Sequence, residues 1–103
     1  MNKPLTQQQV AAVLDRWVGS EVTIRVVSEG DMLLAVFQGR LGIRTDSKHP
    51  ALFWPLHASD ESDHFEQPGI YLHPERFHQA LAREGAFIVE LRQDGLTLNI
   101  RRL

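Results

Sequence analysis

Alternating apolar and polar residues near the end of the chain predict a β-hairpin that is closed by Asp94-Gly95. A two-residue loop there brings four apolar residues to one face in two facing pairs, Leu91 with Leu98 and Val89 with Ile100. Asp-Gly suits this loop because a type I′ turn needs positive φ at both central residues. The pattern therefore predicts antiparallel sheet over residues 86–101.

A second alternating segment, residues 21–27, precedes a turn at Glu29-Gly30 and an apolar strand over residues 32–37. The register that matches three apolar pairs places Val26 opposite Leu33, Ile24 opposite Ala35 and Val22 opposite Phe37. A loop one residue longer would instead pair Val22 with Gln38. Because residues 32–37 are apolar on both faces, we expect this strand to be central in the sheet or covered on both sides.

Two segments have the spacing of amphipathic helices. Thr6 is a suitable N-cap for a first helix over residues 7–18, and Gly19 is suited to the left-handed position that follows a helix. Pro74 suits the first position of a second helix that ends at Gly85. The buried stripe of that second helix would consist of Phe77, Ala80 and Leu81.

Two glycines in residues 38–44 suggest a bulge or sharp bend between two strand segments, which adds a further strand after residues 32–37. A short strand over residues 51–56, a loop over residues 57–68 and a minimal strand over residues 70–72 follow. Pro55 confines the strand over residues 51–56 to an edge or an end, because proline has no N–H to donate. The predicted order is α-β-β-β-β-loop-β-α-β-β. It indicates a single α+β domain over residues 1–103, with two helices packed on a mostly antiparallel sheet.

Composition narrows the classes of function. A net charge of -2 with only two lysines disfavours nucleic acid as a partner, because affinity for phosphate is built largely from clustered lysine and arginine. The chain contains no cysteine, which excludes disulfides, thiolate metal sites and thiol nucleophiles. No apolar run reaches the roughly 20 residues that span a bilayer, and the N-terminus lacks a signal-peptide core. We therefore expect a soluble, cytoplasmic protein without a membrane partner.

Histidines and acids are concentrated in residues 49–78, and no lysine or arginine occurs between His49 and Glu75. Imidazole and carboxylate groups suit a divalent transition metal. The candidate metal ligands are His57, His64 and His73. Their spacing matches no metal-binding motif, and a solvated acidic loop explains the same residues.

Three aromatic residues, Phe53, Trp54 and Tyr71, are the candidate interface, because exposed aromatic residues and open strand edges favour association. No nucleophile elbow or phosphate-binding loop is present, which favours binding over catalysis. We predict a small binding or adaptor protein that self-associates through a sheet edge, for example as a homodimer. The alternatives are a metal-binding protein that uses residues 49–78 and a small-barrel nucleic-acid-binding module.

Overall fold

The computed structural model describes residues 3–46, 52–57, 68–84 and 87–103 of the chain. Within these ranges it contains one helix and nine strands. Their bounds in chain order are β1 Lys3–Leu5, α1 Gln7–Arg16, β2 Glu21–Ser28, β3 Leu33–Leu41, β4 Thr45–Asp46, β5 Leu52–His57, β6 Gly69–Leu72, β7 Phe77–Arg83, β8 Ile88–Gln93 and β9 Leu96–Arg102. Over the same ranges, no helix has both the length and the apolar character needed to cross a membrane.

The strands form an antiparallel sheet in the spatial order β1-β7-β8-β9-β2-β3-β5-β4, and β6 pairs with β5 outside this path. Buried side chains from α1 and from seven strands form one core cluster on the inner face of the sheet. The sheet therefore curls around a single helix, and its opposite face is the outer face of the molecule.

The first helix is confirmed, with a slightly earlier end than predicted. Thr6 Oγ1 accepts a hydrogen bond from the Gln9 N–H at 3.1 Å, and Gln9 Oε1 accepts one from the Thr6 N–H at 2.9 Å. This reciprocal capping satisfies two backbone donors that a helix start leaves unpaired. The helix ends at Arg16, and Gly19 adopts the expected left-handed conformation with φ 89°. The inward side of the helix contributes Val10, Val13, Leu14 and Trp17 to the core.

The predicted second helix is wrong, and with it the expected fold of two helices packed on a sheet. Its apolar residues lie instead in β7, which pairs with β1 on one side and with β8 on the other. Ala80 and Ala82, two residues apart, face inward with exposed fractions of 1% and 9%. Pro74 begins only a single turn, in which the Phe77 N–H donates to the His73 carbonyl at 2.9 Å. The strand prevails because its two neighbours satisfy the backbone hydrogen bonds that a helix would make internally.

The hairpin of β8 and β9 has the predicted register. Leu91 lies opposite Leu98, and Val89 lies opposite Ile100. Asp94 and Gly95 have φ angles of 56° and 70°, as a two-residue turn with positive φ at both positions requires.

The register predicted for β2 and β3 is wrong by two residues. Val26 lies opposite Ala35, Ile24 opposite Phe37 and Val22 opposite Gly39. The turn is longer than predicted because Ser28 organises it: its N–H donates to the Met32 carbonyl, and its Oγ accepts from the Met32 N–H at 3.1 Å. A shift of two residues keeps the same side chains on the same face, so the inner face of β2 is as expected.

Strand β5 is not an edge strand, contrary to the expectation from Pro55. It pairs with β6 on one side and with the ends of β3 and β4 on the other. The Pro55 carbonyl accepts a hydrogen bond from the Gly42 N–H at 2.7 Å, so the backbone of Pro55 faces residues 42–44, which lie between β3 and β4. The missing N–H of proline therefore falls where the partner strand is interrupted, and no ladder hydrogen bond is lost.

Two polar contacts hold β5 and β6 against the rest of the molecule. Trp54 of β5 is fully buried, and its Nε1 donates to Asp15 Oδ1 of α1 at 2.9 Å. Gln93, at the end of β8, accepts a hydrogen bond from the His73 N–H and donates one to the Tyr71 carbonyl. Because four strands separate β8 from β6 in the sheet, the Gln93 contacts show how far the sheet curls.

We predict that Leu91→Ala lowers the free energy of unfolding by about 2–5 kcal/mol, because Leu91 is fully buried in the core. Leu103→Ala is the matched control, since Leu103 is 60% exposed, and we expect it to change stability by less than about 1 kcal/mol. Urea denaturation followed by circular dichroism measures both variants. Equal losses would contradict the core described here.

We predict that Gln93→Leu lowers the free energy of unfolding by about 1–3 kcal/mol, because it leaves the His73 N–H and the Tyr71 carbonyl without their partner. Gln8→Leu, at an exposed position of α1, makes the same chemical change where no such bridge exists, and should be nearly neutral. The same denaturation measurement applies. An unaffected Gln93→Leu variant would show that the bridge does not hold the curled sheet together.

Candidate functional site

The predicted aromatic interface is divided by the fold. Phe53 and Tyr71 lie opposite each other on β5 and β6, with ring centroids 4.4 Å apart. Tyr71 is 49% exposed, whereas Trp54 points to the other face and lies in the core. The structure therefore brings Phe53 and Tyr71 together on the surface and separates Trp54 from them. Their use as an interface stays a prediction.

The candidate metal ligands are not brought together as far as the structure describes them. Leu52 pairs with Leu72, so His57, at the far end of β5, and His73, just after β6, lie at opposite ends of this strand pair. His73 and His57 are six residue steps apart along this strand pair, which corresponds to about 20 Å. His64 and most of the neighbouring acids lie outside the described residues. In the described ranges, no group of three side chains could hold a metal ion.

A buried carboxylate lies on the outer face of β8. The Glu90 side chain is 8% exposed, and its Oε1 and Oε2 lie 3.1 Å from Arg92 Nη2 and 2.7 Å from Arg83 Nη2. The contact at Oε2 is an ion pair whose angles do not make it a hydrogen bond. Two half-exposed guanidinium groups thus balance one carboxylate. This cluster is a charge-neutralised part of the sheet surface and offers no free group for chemistry.

A polar cleft lies between the β2–β3 turn and the β8–β9 turn. Its lining carries both signs of charge, from Glu29, Asp31, Arg76, Arg92 and Asp94. Arg76 and Asp94 already form an ion pair at 3.3 Å. The cleft therefore has no strong preference for an anion or a cation.

The most distinctive surface is the first part of β3. Only Arg40 and Leu41, at the end of the strand, pair with His57 and Leu56 of β5. Residues 33–38, which we call the free edge, have β2 on one side and no strand on the other among the residues that the structure describes. A strand in this position presents unpaired N–H and C=O groups to solvent.

The outward backbone groups in the regular part of the free edge belong to Val36 and Gln38. The Leu41 N–H donates to the Ser20 carbonyl at 3.0 Å, so Leu41 faces β2. Hydrogen-bonding direction alternates along a regular strand in an antiparallel pair, so Val36 and Gln38 direct their N–H and C=O groups away from β2. The alternation ends at Leu34, because the register shifts there and the Met32 carbonyl accepts from the Ser28 N–H.

Both faces of the free edge are apolar and exposed. Ala35 and Phe37 lie opposite Val26 and Ile24 and share their inner face. Val36 lies opposite Arg25 and Leu33 opposite Val27, on the outer face. The exposed fractions, with that of the preceding residue, are Met32 65%, Leu33 46%, Leu34 52%, Val36 53% and Phe37 40%. The expectation that this strand is central is confirmed in the strand order, where β3 lies between β2 and β5, but the expected cover on both faces is not present at residues 33–38 of the described structure.

The free edge has one of the features with which proteins normally protect an open strand. Those features are charged side chains, proline, a bulge in the edge strand or a very short strand. Residues 33–38 contain no charged residue and no proline. The consecutive residues Val26 and Val27 pair with Ala35 and Leu33, so β3 has one extra residue and a bulge at Leu34. The signal in the sequence was the run of apolar residues on both faces, which is equally typical of a buried strand.

Comparison with known proteins does not identify the site. No protein family matches the chain, and neither curated proteins nor solved structures show significant similarity to it. The functional argument therefore rests on the geometry of the chain itself.

Proposed function

We propose that this protein is a small binding or adaptor module that takes an extended polypeptide strand at the free edge of β3. The observation that carries the proposal is the combination of unpaired outward backbone groups with exposed apolar side chains on both faces. An added strand would satisfy the N–H and C=O groups of Val36 and Gln38. It would also cover the side chains between them, which is the recognition mode called β-augmentation.

The chemistry of this surface favours a polypeptide over other ligands. A small molecule needs a concave pocket with a few convergent polar groups, whereas the free edge is a linear array of alternating donors and acceptors. A nucleic acid needs clustered cations, and residues 33–38 have none. The sheet edge of the proposal thus lies on β3, while β5, where the sequence placed it, is flanked on both sides.

Each backbone hydrogen bond to an added strand is worth about 0.5–1.5 kcal/mol net. Burial of exposed apolar surface contributes about 25 cal/mol per Å² before the cost of association is subtracted. The backbone groups set the direction and register of the bound strand, and the apolar side chains supply most of the affinity.

The test is a nuclear magnetic resonance titration at low protein concentration with a synthetic peptide of alternating threonine and valine, flanked by lysines. We predict that the amide signals of Val36 and Gln38 shift and gain protection from hydrogen exchange. The amides of Ala35 and Phe37 should change less, because they already face β2. A peptide of the same sequence that is N-methylated at alternate residues should bind at least about tenfold more weakly, since it cannot donate along the edge.

Val36→Pro and Val36→Thr form the matched pair of variants for this titration. Proline removes the outward N–H without breaking a hydrogen bond to β2, whereas threonine keeps both the N–H and the β-branched shape. We expect Val36→Pro to weaken peptide binding by at least about tenfold and Val36→Thr to bind nearly as the wild type does. Equal binding by the two variants, or signal changes confined to other strands, would refute the proposal.

A further inference from the structure

We infer that the polar cleft between the β2–β3 turn and the β8–β9 turn binds a small ligand with a carboxylate at one end and a cationic group at the other, as in a basic α-amino acid. This inference goes beyond strand capture and does not depend on it, because none of residues 33–38 lines the cleft. Three features of the cleft carry it: its size, the lining side chains that have no partner, and the division of its charges between two sides.

The cleft has the size of a site for a small molecule. Its volume is about 540 Å³, within the range of roughly 300–1,000 Å³ that is typical of ligand pockets. Arg92 and Thr97 of the lining lie opposite each other on the outer face of β8 and β9. The described lining comes from residues 28–31, 76–78 and 92–97, and none of these segments borders a gap in the described ranges.

Two acidic side chains line the cleft on the side of the β2–β3 turn. Glu29 and Asp31 are exposed, and neither makes a hydrogen bond or an ion pair with a described residue. A Cβ atom at Gly95 would lie 3.4 Å from Glu29 Oε1, so this carboxylate reaches across to the β8–β9 turn. Carboxylates without partners favour a cationic group of the ligand at this end, because they bind charged donors most strongly.

The opposite side of the cleft carries N–H donors. His78 is the extra residue of a bulge in β7, because its neighbours Phe77 and Gln79 pair with consecutive residues of β8. A bulge re-aims a side chain, and His78 is exposed, lines the cleft and has no partner among the described residues. Beside it, Arg92 uses Nη2 for its contact with Glu90, and a guanidinium group has further N–H donors. A carboxylate of the ligand fits this end.

The two ends are separated by about the length of one side chain. Arg92 lies two strand positions before the tip of the β8–β9 turn, which corresponds to about 7 Å along the strands. The extended side chain of arginine or lysine has a similar length. The other two charged residues of the described lining, Arg76 and Asp94, already pair with each other at 3.3 Å. One basic amino acid can therefore reach both the acidic side and the donor side.

Nuclear magnetic resonance titration of the full chain with L-arginine at constant ionic strength tests this inference. Citrulline, in which a neutral urea replaces the guanidinium group, and agmatine, which lacks the carboxylate, are the matched ligands. We expect L-arginine to shift the amide signals of His78, Gly95 and Thr97 with a dissociation constant in the millimolar range, because exposed ion pairs are weak. Citrulline and agmatine should each bind at least about twofold more weakly, since each loses the contacts at one end.

Variants of the two sides test the orientation of the ligand. Glu29→Gln should reduce the preference for L-arginine over citrulline, because it removes a charge that faces the guanidinium group. Arg92→Gln should reduce the preference for L-arginine over agmatine, because it removes donors to the carboxylate. Arg83→Gln is the matched control for Arg92→Gln, since Arg83 also contacts Glu90 but does not line the cleft. Glu21→Gln, at an exposed position of β2 outside the cleft, is the control for Glu29→Gln.

N-Acetyl-L-arginine distinguishes the two sources of this ligand chemistry, because its blocked amine resembles the carboxyl end of a polypeptide. Tighter binding of L-arginine supports a free amino acid as the ligand, and tighter binding of N-acetyl-L-arginine supports a chain end. Equal binding of L-arginine, citrulline and agmatine, or no response of the amides at the two turns, would overturn the inference. Either result leaves strand capture intact, because that proposal is tested by the amide signals of Val36 and Gln38.

Discussion

The attachment of β5 to the helix determines the shape of the whole molecule. Trp54 of β5 is buried and donates a hydrogen bond to Asp15 of α1, so this strand is drawn over the core. Gln93 then ties the neighbouring strand β6 to the end of β8, on the far side of the sheet. Within the described residues, β5 pairs with Arg40 and Leu41 of β3, and residues 33–38 have β2 alone as a strand neighbour.

A glycine marks the point where β5 meets β3. At Gly39 a Cβ atom would lie 2.6 Å from the His57 carbonyl oxygen, closer than real side-chain contacts come. The backbones of β3 and β5 therefore approach so closely here that only glycine fits. Among the described residues, β5 pairs with Arg40 and Leu41, which follow this glycine, and β2 alone pairs with the residues before it.

The sequence predicted correctly the elements that neighbouring residues specify, and incorrectly those that depend on strands far away in the chain. Asp94-Gly95 and the alternation around it specify the last hairpin within one short segment, and Thr6 with Gln9 specifies the start of α1. The segment Phe77–Arg83 is different, because its alanines suit a helix as well as a strand. This segment forms a strand because β1 and β8 lie beside it, and β1 comes from the other end of the chain.

The predicted register of β2 and β3 was wrong for a local reason that residue spacing does not show, namely the hydrogen bonds of Ser28 within the turn. The candidate site could not be predicted for a similar reason, since an apolar strand is equally typical of a sheet centre and of an exposed edge.

The other sheet borders show that the exposure of β3 is selective. The strands that end the sheet order are short: β1 has 3 residues, including Pro4, and β4 has 2. Both are typical of protected borders, because short strands and proline discourage the addition of another chain. The outer face of the sheet also differs between strands, with the ion pairs of Glu90 on β8 and the exposed apolar Val36 on β3. Among the described residues, this contrast between the short outer strands and the exposed apolar residues of β3 supports the proposal that another strand covers the free edge.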